Sequence, residues 1–144
     1  MKVVLDECLP IVLVEAFQAF ADRQIIAHEI VHAKQYRPDG EKGDKNWIIR
    51  FAEDGGEVVI SGDTQMRQKP HERLALSRAG LITIFFEPRW GRANCFVKAA
   101  MMLRWWPKID EHIATASAGS CWEIPYLWNW KPLRDVSARP DQVL

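Results

Sequence analysis

Apolar residues along this chain follow two rhythms. Val3-Val4-Leu5 is a run of consecutive aliphatic residues that stops at Asp6-Glu7, and Val58-Val59-Ile60 stops in the same way at Ser61-Gly62-Asp63. Runs that are apolar at every position suit parallel strands buried on both faces. Residues 25–31 and Leu81-Ile82-Thr83-Ile84-Phe85-Phe86 are two further strand candidates. Between these runs the spacing changes to three and four. Leu9, Leu13, Ala16, Phe17 and Phe20 predict a helix over 9–20, with Pro10 in a first turn that tolerates it. Trp47, Ile48 and Phe51 give one face of a helix over 45–53, with Asp44 as an N-cap type and Gly55-Gly56 as its stop. Leu74, Ala75 and Ala79 mark a helix over 70–79, stopped by Gly80. A long apolar helix is expected over 93–106, ended by Pro107, and a further helix over 108–116. The stretch 121–144 holds three of the seven tryptophans and three prolines, and its pattern assigns no element.

Strand and helix therefore alternate four times. That order specifies an α/β fold in three layers, α/β/α, around a central, mainly parallel sheet. The 144 residues fit one domain, and no repeat, low-complexity tract or linker divides them.

Composition narrows the function classes. No run of about 18 apolar residues occurs, so no membrane span or membrane partner is expected. Two acids interrupt what would be the apolar part of a signal peptide, so the expected compartment is cytoplasmic. Cys8, Cys95 and Cys121 are odd in number and widely spaced, unlike a disulfide framework or a paired zinc motif. The formal net charge is zero, but it is unevenly spread. Residues 1–60 carry seven Lys and Arg against eleven Asp and Glu; residues 61–108 carry nine against three; residues 109–144 carry three against five. An acidic first half beside a basic middle suits a site that holds cations and attracts a polyanion. An ordinary solvated surface would look the same.

Ligands of open α/β sheets bind beyond the carboxyl ends of the strands. Asp6 closes the first strand and Asp63 the third, and Asp44 opens the helix that leads into the third from the same side. Each acid alone has a simpler explanation: Asp44 as a helix cap, Asp6 and Asp63 as acceptors for turn or helix amides. Three carboxylates on one rim repel one another unless a cation lies between them, and that joint placement favours a metal site. Oxygen ligands favour Mg²⁺ or Mn²⁺, which can activate water and steady a phosphodiester under attack.

Three segments carry a family resemblance. Lys2-Val3-Val4-Leu5-Asp6-Glu7-Cys8-Leu9-Pro10 resembles the Leu-Asp-Glu-Asn-Leu-Pro opening of PIN-like domains. Gly43-Asp44-Lys45-Asn46-Trp47-Ile48-Ile49 resembles the segment in which their second helix begins at an Asp. Glu57-Val58-Val59-Ile60-Ser61-Gly62-Asp63 resembles their third strand, which ends in Thr/Ser-x-Asp. Lys69-Pro70-His71-Glu72-Arg73 looks most like a VapC-toxin-related subgroup. The resemblance covers roughly residues 1–90, and the order and spacing of the motifs carry it. It implies one PIN-like domain over 1–144, with a core to about 116 and a Trp/Pro-rich extension from about 117. It implies a metal-dependent endoribonuclease, often the toxin of a toxin–antitoxin pair, with Asp6, Asp44 and Asp63 as catalytic, metal-binding acids. Glu7 and Glu72 would be further ligands. The implied cofactor is Mg²⁺ or Mn²⁺; the implied partners are an RNA substrate, a cognate antitoxin and a homodimer mate. Cys8 replaces the usual Asn, and Gln65 stands where many relatives have another Asp. Glu72 would replace that carboxylate. These departures keep a second reading open, a non-catalytic PIN-like module that binds protein or RNA.

Arg67, Lys69, His71 and Arg73 flank the expected pocket and are candidate phosphate contacts, or else members of a solvated face. The tryptophans 105, 106, 122, 128 and 130 could stack bases, though core or interface places are commoner for such residues. A different chemistry is written at His28-Glu29-Ile30-Val31-His32, which matches the HExxH of zinc hydrolases. On a helix both imidazoles would share a face, with Glu29 as general base. On a strand, which the element order calls for, the two would stand about 13 Å apart.

Overall fold

Val3, Val4 and Leu5 have no solvent exposure at all, and neither do Val58, Val59 and Ile60. Their strands lie side by side at the centre of the sheet. The computed structural model describes residues 1–6, 9–62 and 68–137. Strands β1 (Lys2–Leu5), β2 (Glu29–His32), β3 (Val58–Ser61), β4 (Ile82–Phe86), β5 (Cys121–Ile124) and β6 (Arg134–Asp135) form one sheet in the order β2-β1-β3-β4-β5-β6. The first five run parallel, and β6 pairs antiparallel with β5. Four helices of at least nine residues cover it: α1 (Ile11–Asp22), α2 (Lys45–Glu53), α3 (Pro70–Arg78) and α4 (Cys95–Ile113). This is the three-layer α/β fold that the alternation specifies.

Side-chain alternation along β1 sorts the helices. Val3 and Leu5 point into a core with α1 and α4, through Leu13, Val14, Phe17, Met102, Trp105 and Ile109. Val4 points into the opposite core with α2 and α3, through Trp47, Ile48, Phe51, Ala75 and Leu76. The connections β1-α1-β2, β2-α2-β3 and β3-α3-β4 therefore share one hand. The connection β4-α4-β5 continues in the same direction along the sheet but places its helix on the α1 face, so its hand is opposite. Such reversals are rare, because strand twist favours one hand. Here the reversal has a use: α1 lies between β1 and β2, and only α4 can cover that face over the remaining strands.

Two expectations change. The helix expected to end at Pro107 continues through it to Ile113, so 93–106 and 108–116 are one element. A mid-helix proline costs about 3 kcal/mol. Beyond it Ile109 and Ile113 are 0% and 1% exposed, and burying two such side chains is worth about 3–6 kcal/mol. Pro107 itself is exposed, so packing outweighs propensity. The zinc motif falls on β2, a strand, and β2 is shorter than the 25–31 expected. His28 lies just before it, bonding the amino terminus (3.2 Å) and Asp110 (2.5 Å), while His32 ends it with Nδ1 accepting the Lys34 amide at 3.1 Å. Four residues of strand rise separate them, which removes the zinc-hydrolase reading.

One half-buried histidine couples folding to pH. His112 Nε2 on α4 is buried without a hydrogen-bond partner among the described residues, and its ring meets that of Trp122 edge-on at 4.2 Å. Burial, followed by the charge of Lys108, pulls its pKa below the ordinary 6.5. The unfolded chain thus takes up this proton before the folded one, so His112 costs no stability above pH 6.5 and progressively more below it. Thermal melts from pH 8 to 5 should show a steeper loss of Tm in the wild type than in His112→Phe. Parallel curves would show that His112 titrates alike in both states.

Candidate active site at the carboxyl rim

The strand order reverses at β1: the chain leaves β1 for β2 and returns on its other side as β3. The crevice at such a switch point is where α/β sheets bind ligands. Asp6 sits there, the first residue beyond β1. Its amide donates to the Ile60 carbonyl at 3.0 Å, and its carbonyl accepts the Leu9 amide at 3.0 Å. The backbone is pinned before and after the acid. Its carboxylate is 4% exposed and accepts the Ser61 hydroxyl at 2.6 Å.

The two-residue period places Asp6 on the face of Val4, the face packed by α2 and α3. Both helices begin at the same rim, and each brings an acid. Asp44 precedes α2 and is 8% exposed; Glu72 lies in the first turn of α3 and is 1% exposed. Asp44 makes no side-chain cap. Its Oδ1 accepts the Trp47 indole N–H at 2.7 Å and lies 3.9 Å from the Arg37 guanidinium. The explanation of Asp44 as a mere cap is thereby excluded. Its amide donates to Glu72 Oε1 at 3.3 Å, which brings the two acids together. Gly43 makes this turn with φ +77°, a conformation that costs an L side chain about 1–2 kcal/mol.

Glu72 carries the electrostatic tension of the site. Lys69 Nζ stands 3.9 Å from Oε1, but Oε2 is buried with no hydrogen-bond donor among the described residues. Burial, then the charge of Asp44, raises the Glu72 carboxyl above the ordinary carboxylate range. Buried carboxylate oxygens with an unmet lone pair are the donor set that hard divalent cations take. Asp44 and Glu72 fit such an ion, with Asp6 on the same face of the rim. Among the described residues no three His, Cys, Asp or Glu side chains are close enough together to hold a metal. Asp63, the third sequence-based acid, lies outside the described residues, as do Glu7, Arg67, Cys8 and Gln65.

The flanking residues divide. Lys69 stays beside Glu72. His71 is exposed and turns to a groove between α2 and α3, lined also by Lys45, Ile49 and Arg78. Arg73 donates to the Val136 carbonyl and lies against Cys121, tying α3 to the C-terminal strands. Two features went unmarked in the sequence. Trp47 was legible only as an apolar helix residue, although its indole holds Asp44. Lys98, from the first turn of α4, lines a cavity of about 220 Å³ at the rim with Leu9, Gly62, Phe86, Trp90 and Gly91.

A family model described as a PIN like domain matches residues 1–88. No curated protein and no solved structure matches the chain.

Because ionised Glu72 is buried with one oxygen unmet, its charge opposes folding above the ordinary carboxylate pKa of 4.5. Glu72→Gln keeps the acceptor for the Asp44 amide and removes the charge. At pH 7.5 without divalent metal it should be more stable by about 1 kcal/mol, a Tm gain of about 3 °C. An unchanged or lower Tm would mean that Glu72 is already neutral or compensated.

Proposed function

We propose, from the premise that the chain belongs to the PIN-like domain family, that it is a metal-dependent endoribonuclease. Its finer placement would be as the toxin of a toxin–antitoxin pair. The observation that carries the reading is the buried pair Asp44 and Glu72, with Glu72 Oε2 unmet, at the switch-point rim where Asp6 ends β1. Acids without chemistry to perform are rarely kept so dry beside one another.

Asp44 and Glu72, completed by Asp63 from its place in the sequence after β3, would hold Mg²⁺ or Mn²⁺, with Asp6 on the same face of the rim. Such an ion supplies an activated water and neutralises charge on the phosphodiester during in-line displacement. The chain's own residues do the positioning. Ser61 fixes the rotamer of Asp6 through its hydroxyl, and Trp47 fixes that of Asp44 through its indole N–H. Arg37 beside Asp44 and Lys69 beside Glu72 limit the repulsion of the acid pair, and Lys69 is the candidate contact for a phosphate oxygen. The basic residues of 61–108 would draw the strand toward the rim. The antitoxin, a homodimer mate and a cytoplasmic setting belong to this same reading.

The non-catalytic module is the second reading, favoured by Cys8 and Gln65 in place of the family's polar residues. One experiment separates the two. Purified chain is incubated with mixed-sequence RNA and Mn²⁺, Mg²⁺, Zn²⁺ or EDTA, beside Asp6→Asn and Asp44→Asn variants. Cleavage with Mn²⁺ or Mg²⁺ that falls at least about a hundredfold in either variant supports the nuclease. Mn²⁺ should also raise the wild-type Tm more than that of Glu72→Gln. A folded wild type with neither cleavage nor a Mn²⁺-dependent Tm rise would leave the binding module.

A further inference from the structure

Residues 88–109 contain Arg89, Arg92, Lys98, Arg104 and Lys108 and no aspartate or glutamate. Residues 124–134 contain Lys131 and Arg134 and again no acid. The fold lays these two stretches against each other. Arg104 Nε donates to the Trp128 carbonyl at 3.2 Å, the Trp130 indole donates to the Arg104 carbonyl at 2.9 Å, and the Trp105 indole donates to the Leu127 carbonyl at 2.7 Å. The Arg104 guanidinium carbon lies 4.6 Å from the Trp130 ring centroid and 5.4 Å from that of Trp128. Earlier in the same segment, Arg89 stands 5.5 Å over Tyr126.

Trp105 is fully buried and Trp106 nearly so, while Trp128 and Trp130 are 57% and 44% exposed. The two exposed indoles are not loose. The bonds that hold their loop run through backbone carbonyls and one indole edge, which leaves ring surface for a partner. Arg89, Lys108 and Arg134 pair with Glu87, Glu111 and Glu123, whereas Arg104 lies against two exposed indoles; exposed aromatic surface beside such a cation fits a polyanion that also presents flat apolar faces. A single nucleic-acid strand has both, whereas a duplex hides its base faces in the stack.

We propose that Arg104, Trp128 and Trp130 form a base-stacking platform for single-stranded RNA. Phosphates meet Arg104 and its neighbouring cations, and bases lie on the indoles. The helix that carries Arg104 also brings Lys98 to the rim cavity, about 9 Å away along its axis, so a strand at the rim reaches the platform. The platform lies wholly beyond residues 1–88, so family membership does not supply it. The choice of RNA as the strand rests on the nuclease reading; the stacking does not.

The test is fluorescence anisotropy of the full chain with a labelled oligoribonucleotide of about 12 nucleotides, in EDTA. Trp128→Ala should weaken binding about tenfold, and Trp128→Tyr should restore most of it. An RNA duplex of the same sequence should not distinguish the variants. Tryptophan quenching on binding should shrink in Trp128→Phe. Unchanged affinity of Trp128→Ala for the single strand overturns the platform. So does a shift of Trp128→Ala from dimer to monomer in sedimentation with RNA affinity intact, which would make the surface a protein interface. Because binding is read without metal, absence of Mn²⁺-dependent cleavage would sink the nuclease and leave this result standing. Normal cleavage with normal binding in Trp128→Ala would do the reverse.

Discussion

β1 is hydrogen-bonded on both edges and buried on both faces, and the rim takes its character from that confinement. A strand so placed cannot tilt its terminal residue into water, so Asp6 must be satisfied where the backbone leaves it. The same packing draws the starts of α2 and α3 onto one face, with Asp44 and Glu72 attached. Each acid meets a different donor: a hydroxyl for Asp6, an indole for Asp44, a backbone amide and a distant ammonium for Glu72. Among the described residues no donor reaches Glu72 Oε2. Buried charge that protein groups do not satisfy demands neutralisation from elsewhere, by a proton or a cation.

Much of this was legible in the sequence because β1 and β3 announce themselves. Three consecutive aliphatic residues mark each strand type, and in β1 the acid that follows at once, Asp6, also marks which end it occupies. The start of α2 at Lys45 was equally clear from Asp44 and the Trp47-Ile48-Phe51 face. What sequence spacing does not carry is competition between local and distant forces. Pro107 reads as a stop, but its cost is local, whereas the gain from Ile109 and Ile113 comes from strands far along the chain. His28 and His32 have the spacing of a helical zinc pair, and only the need for a second parallel strand beside β1 overrules it.

The site shows the same boundary. That Glu72 begins a helix near the rim follows from Pro70 and the pattern behind it. That it is drier than Asp6 and Asp44 depends on how α2 and α3 converge, which no spacing reports. Arg73, its neighbour, looks equally available in sequence but is turned toward Val136 by the C-terminal strands, elements the apolar pattern did not reveal. β5 has only four residues, and its alternation is confused by Trp122, whose ring packs on His112.

The reversed hand of the β4-α4-β5 connection bears on where this molecule begins and ends as a folding unit. The family pattern stops at residue 88, just after β4. Cut there, Val3, Leu5, Ile60, Ile84 and Phe86 would lose α4, which packs with α1 against them. The matched stretch thus shares one of its two cores with a later segment, whose inner surface is set by that packing.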